Sequence, residues 1–218
     1  MLLNQDFIVE IHKNASTTIR SIDLSNKNRL WQDCISPIKN YHILLRDPYI
    51  RWLSATLQWI WDERENALGI RVFKKTQSTP MFDIEFHSRK IRENLIPFLS
   101  QIHTSIHTTP QIEYIPTYET GLQDYQNVYF YAREDQGLRK LFNRLNLAIN
   151  EIPHQTNSKE DKMKIHTAKM IHPFIGEKLQ NKVMNFYKED YELYRKHFPH
   201  VELKTDATEY FNKLGCNL

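Results

Sequence analysis

Three short apolar runs, each followed by a segment with helical spacing, constrain this chain more than any other feature. The clearest is Tyr41-His42-Ile43-Leu44-Leu45, which has the length and apolar continuity of a buried strand. Arg46 ends it, and Asp47-Pro48 then supplies a helix cap and a first-turn proline. Ile50, Leu53, Leu57 and Trp61 follow at helical spacing, which predicts a helix with one apolar face. An earlier unit has the same order. Phe7-Ile8-Val9-Glu10-Ile11 reads as a strand, His12-Lys13-Asn14-Ala15-Ser16-Thr17-Thr18 as a polar loop and cap, and Ile19 and Ile22 as the start of a helix. A third strand is expected over Asn127–Ala132, before an amphipathic helix over residues 134–147 with Leu138, Leu141, Phe142 and Leu145 inward. Strands alternating with helices predict an α/β fold: a central parallel sheet flanked by helices, in three layers. Ligands of such sheets bind beyond the carboxyl ends of the strands. The loop after Ile11 and the residue Arg46 both belong to that edge.

The remaining stretches are less regular. Residues 69–80 read as a polar loop, 82–99 as an irregular helix, and 102–116, with two His and two Pro, as an ordered loop or short turns. A polar break over 154–164 precedes a final helix over 181–197, whose Tyr187, Tyr191 and Tyr194 are expected to pack. Trp52, Trp59 and Trp61 read as core or rim aromatics. The 218 residues suit a single domain spanning 1–218, large enough to bury a core without staples. Cys34 and Cys216 are the only cysteines, which argues against a disulfide framework or a cysteine zinc site. The net charge of +3 is well mixed, so no nucleic-acid partner is expected. No segment has the apolar length of a membrane span, and the start of the chain does not read as a signal peptide. With five glycines, neither a Gly-rich dinucleotide fingerprint nor a Walker loop is present.

Two local patterns can hold anions. Lys13-Asn14-Ala15-Ser16-Thr17-Thr18 places a cation, small residues and hydroxyls at an expected helix N-terminus, where free N–H groups and the helix dipole favour negative charge. Arg46 at a strand end can fork onto a phosphate, and Ser54, about two helical turns on, can add a donor. Each pattern alone also suits a plain structural role: a helix cap with an exposed lysine, or Arg46 paired with Asp47 or Asp62. Both occurring in order, on consecutive strand-helix units, points to one shared site.

At these residues the chain resembles the sulfotransferases that use 3′-phosphoadenosine-5′-phosphosulfate (PAPS), and among them the carbohydrate, Golgi-type enzymes. Residues 7–22 look like the family's 5′-phosphosulfate loop. Ile43-Leu44-Leu45-Arg46-Asp47-Pro48-Tyr49-Ile50-Arg51-Trp52-Leu53-Ser54 is similar to its 3′-phosphate motif. Weaker echoes follow in His107-Thr108-Thr109-Pro110-Gln111, in the strand and acidic helix start of 127–147, in Ile152-Pro153-His154-Gln155-Thr156-Asn157-Ser158, and in Phe186-Tyr187-Lys188-Glu189-Asp190-Tyr191-Glu192-Leu193-Tyr194. Asn14 and Thr108 depart from the residues common in the family.

The resemblance implies a P-loop-like sulfotransferase fold and transfer of a sulfonate group from PAPS to an acceptor hydroxyl, with a glycan as the favoured acceptor and PAP (adenosine 3′,5′-bisphosphate) as product. It implies that Lys13 stabilises charge on the leaving oxygen, that Lys13, Asn14, Ala15, Ser16, Thr17, Thr18, Arg46 and Ser54 bind the donor, and that Asn157, Ser158 and Lys159 cover the nucleotide. His107 is the first choice of base, with His103 and then Glu113 behind it. His103 and His107 have a zinc-compatible spacing, but Thr108, Thr109 and Pro110 interrupt a helix there, and no metal is expected. A nucleotide-dependent phosphotransferase and a catalytically silent nucleotide-binding module are the competing readings. The chain as it stands is expected in the cytoplasm, and in the Golgi lumen if it is trimmed from an anchored enzyme.

Overall fold

The computed structural model describes residues 2–3, 6–9, 11, 40–67, 99–103, 107–115, 127–147, 165 and 167–216; at Trp59 and residues 61–67 only the helical backbone is described. Its contacts group into two compact units. The first comprises Met1–Arg51, Thr109–Thr156 and Tyr187–Lys204, and the second Trp52–Thr108, Asn157–Phe186 and Thr205–Leu218.

The first unit holds a sheet of four strands in the order β1 (Leu2–Leu3), β2 (Asp6–Val9), β3 (Asn40–Leu45) and β4 (Asn127–Ala132). β1 pairs antiparallel with β2, whereas β2, β3 and β4 run parallel. The chain is thus α/β with three parallel strands, as the alternation of strand and helix signals implies. The short antiparallel β1 was not foreseen, because two leucines make no periodic pattern.

Side chains alternate across the sheet, as a period of two requires. Val9, Ile11, Tyr41, Ile43, Leu45 and Ala132 form one cluster with Tyr194 and Phe198. Ile8, Leu44 and Tyr131 face the other way and pack on Leu141 and Phe142. Helix α2 (Gly137–Arg144) therefore covers one face of the sheet, and the helix carrying Tyr194 covers the other. The row Asp6, Asn40 and Asn127 is in register at the amino edge of the parallel strands. There Asn40 Nδ2 donates to Asp6 (2.8 Å) and Asn127 Nδ2 donates to Asn40 (3.1 Å). His42, buried in β3, meets the Asp6 carboxylate and the Tyr131 hydroxyl, each at 2.9 Å.

The turn into α2 explains one glycine. A Cβ on Gly137 would lie 2.2 Å from the carbonyl oxygen of Ala132, so only glycine lets the helix start directly against the end of β4. The expected helix over 134–147 is accordingly a 3-10 turn (Arg133–Asp135) followed by α2. It closes with Asn146 at φ 51°, and the N–H of Leu147 donates to the Phe142 carbonyl (2.9 Å).

Helix α1 (Pro48–Ala67) begins where foreseen. It is not amphipathic in the expected way. Tyr49, Ile50, Arg51, Trp52, Leu53, Ala55, Thr56 and Leu57 are all buried, and only Ser54 and Gln58 are partly exposed on its described side. The helix expected over 181–197 is two helices, α3 (Glu177–Phe186) and α4 (Lys188–His197), parted at Tyr187. The three tyrosines of that stretch are buried, as expected. A further helix, α5 (Ala207–Lys213), follows in the second unit, capped by Asp206, which accepts from the Thr208 N–H at 2.8 Å. Among the described residues no helix is long and apolar enough to cross a membrane.

Candidate functional site at the carboxyl edge of the sheet

β2 and β3 are adjacent and parallel, so their carboxyl ends open on the same edge of the sheet. Ile11, two residues before Lys13, shares a core cluster with Leu45, the residue before Arg46. Lys13, Asn14, Ala15, Ser16, Thr17, Thr18, Asn157, Ser158 and Lys159 themselves lie outside the described residues.

Arg46 marks this edge on β3. It is 7% exposed, so its charge acts in a poorly hydrated setting where an anion would be held strongly. Its Nε lies 3.9 Å from Glu134, which in turn accepts a hydrogen bond from the Tyr194 hydroxyl (2.8 Å). Asp47, the first partner proposed from sequence, is engaged elsewhere. Its Oδ1 accepts from the Ile50 N–H (3.0 Å), capping α1, and its Oδ2 accepts from the Lys204 N–H (2.6 Å). Burial pushes the Asp47 carboxyl up to about 6, against those two hydrogen bonds and with the Glu134 charge adding to the rise.

The backbone of Arg46 is held by one side chain. Its N–H donates to Gln111 Oε1 (2.9 Å), and its carbonyl accepts from Gln111 Nε2 (2.8 Å). Gln111 opens a 3-10 turn (Gln111–Tyr114) whose N–H groups are gathered by Asp190 of α4. The Gln111 and Ile112 N–H groups donate to its two carboxylate oxygens at 2.7 and 2.9 Å. Burial raises the Asp190 carboxyl, opposed first by these two bonds and then by the charge of Arg51. Arg51 is fully buried, and burial pulls its guanidinium down against the attraction of Tyr187, Asp190 and Tyr114. A guanidinium stays charged even so. Two cations and three carboxylates therefore gather at one end of the first unit.

The other residues singled out from sequence are distributed as follows. Glu113 is exposed in the 3-10 turn of the first unit. Ser54 lies in the second unit, on the least buried side of α1. His107 is half-buried in the second unit, and His103 is exposed there with its ring 6.0 Å from that of Phe186. Trp52 is core, its indole N–H donating to the Ile102 carbonyl (3.2 Å). Among the described residues no group of three or more His, Cys, Asp or Glu is placed to hold a metal ion.

Gln111, Asp190, Glu134 and Arg51 had no role in the sequence reading. All four stood in segments quoted for their family resemblance, and what singles them out is polar character within otherwise buried surroundings. No protein-family model matches the chain, and no curated protein and no solved structure matches it.

Proposed function

We propose that the protein is a PAPS-dependent sulfotransferase of P-loop-like fold that sulfates a hydroxyl group of a glycan. The observation that carries this reading is the seat of Arg46. It stands buried and backbone-clamped at the carboxyl end of a parallel strand, beside the strand that leads into Lys13-Asn14-Ala15-Ser16-Thr17-Thr18. Adjacent parallel strands lie about 5 Å apart, so cationic groups following them can address two phosphates of one nucleotide.

In this reading Arg46 holds the 3′-phosphate, and the loop from Lys13 to Thr18 holds the 5′-phosphosulfate. The acceptor oxygen attacks sulfur in line as the bond from sulfur to the bridging oxygen breaks, and PAP leaves with that oxygen. Negative charge grows on the bridging oxygen, where Lys13 stabilises it more in the transition state than in the ground state. The acceptor's proton passes to His107. The family resemblance gives Asn157, Ser158 and Lys159 the role of covering the nucleotide.

Transfer of labelled sulfonate from PAPS to a panel of glycans tests the reading. Wild-type protein is expected to label at least one member. Lys13→Ala and His107→Ala are each expected to lower the rate about a hundredfold or more. Full turnover by His107→Ala would remove that residue from the role of base. Absence of transfer by the wild type, combined with tight binding of ATP, would favour a phosphotransferase.

A further inference from the structure

The geometry points to Gln111 as a positioning residue: we propose that its side-chain amide sets the direction of Arg46 and thereby the preference for a nucleotide bearing a 3′-phosphate. This rests on the reading of Arg46 as a ligand of that phosphate.

β3 ends at Leu45, the residue before Arg46. The Gln111 amide presents an acceptor to the Arg46 N–H and a donor to its carbonyl at 2.9 and 2.8 Å. Fixing both polar groups of one residue fixes its peptide planes, and so the starting direction of its side chain. Among acidic and amide side chains of this length, only glutamine supplies both halves. An ionised glutamate would accept from the N–H but could not donate to the carbonyl.

The clamp is itself anchored. Gln111 is 1% exposed, and its own N–H and that of Ile112 are held by the Asp190 carboxylate. Asp190 belongs to α4, which packs on the sheet through Tyr194. Three distant stretches of chain thus meet at the backbone of Arg46. Binding of a phosphate by a planar guanidinium depends on aim, since the fork must meet two oxygens at once. A joint that fixes the backbone at this position lowers the ordering that binding requires.

The test compares affinities for adenosine 3′,5′-bisphosphate and adenosine 5′-phosphate by calorimetry, in wild type, Gln111→Met and the control Leu141→Ala. Leu141 is buried on the opposite face of the sheet, so its truncation reports general destabilisation. Wild type is expected to prefer the bisphosphate, and Gln111→Met to lose about tenfold or more of that preference. Binding of the 5′-phosphate should change little, and Leu141→Ala should keep the wild-type ratio. Should Gln111→Met fail to fold, Asp190→Asn takes its place, with a several-fold loss of the same ratio expected. A variant that keeps the full preference overturns the role of Gln111. A wild type without any preference overturns the reading of Arg46 itself.

Discussion

Replacing Asp47 by asparagine should remove a distinct pH dependence of stability. A carboxylate at a helix N-terminus ordinarily titrates low, because N–H groups and the helix dipole favour its charged form. At Asp47 burial outweighs those bonds and brings the carboxyl up from 3.8 to about 6. Each tenfold change in proton affinity corresponds to about 1.4 kcal/mol. The stability against unfolding is therefore about 3 kcal/mol lower where Asp47 is ionised, well above pH 6, than where it is protonated in both folded and unfolded states. The sign follows directly. With the folded pKa above the unfolded one, the native state binds more protons between the two values, so stability falls as pH rises from about 4 to about 6. Asparagine keeps an oxygen for the Ile50 N–H but turns a donor toward the Lys204 N–H, losing about 1–3 kcal/mol in a pH-independent way. Urea unfolding of wild type and Asp47→Asn across pH 4 to 7 isolates the effect. His42, held below its ordinary value chiefly by burial, runs oppositely and loses stability as pH falls, but it is common to both proteins and cancels. The stability of Asp47→Asn relative to wild type should rise with pH by about 2–3 kcal/mol. A flat difference would show that Asp47 titrates normally, and a falling one that the cap dominates burial.

Two further substitutions examine how the site is framed. Gly137→Ala forces a methyl group against the Ala132 carbonyl and should destabilise by about 1–3 kcal/mol or more in urea unfolding; a change below 0.5 kcal/mol, roughly the scatter of neutral surface substitutions, would mean the β4-to-α2 turn opens easily. Tyr194→Phe removes the hydroxyl that donates to Glu134 and should lower stability by about 1.5–3 kcal/mol at neutral pH in urea unfolding; an unchanged stability would mean the bond contributes nothing net.

The sequence disclosed the elements whose signals are local. Asn40–Leu45 and Asn127–Ala132 are apolar runs with sharp polar ends, and the start of α1 follows from Asp47-Pro48. Asp206 and Gly215 bracket α5 as cap and left-handed stop, a signal present in the sequence but overlooked. The break at Tyr187 left no such trace, because helical spacing continues across it and no glycine or proline marks it. Arg51 shows why periodicity misleads for a largely buried helix: spacing assigns it to a flank, and only tertiary packing buries it. The clamp on Arg46 joins residues far apart in the chain, so nothing near Gln111 or Asp190 could announce it. Arg46 itself was legible because a strand end, a cap and a proline all converge there.

Calorimetric titration of the unmodified protein with adenosine 3′,5′-bisphosphate, set beside ATP, bears most directly on what the carboxyl edge recognises. Saturable one-to-one binding of the bisphosphate, far tighter than that of ATP and sharply weakened by Arg46→Ala, is the expected result. Equal affinity for the two nucleotides, or bisphosphate binding untouched by Arg46→Ala, would contradict it.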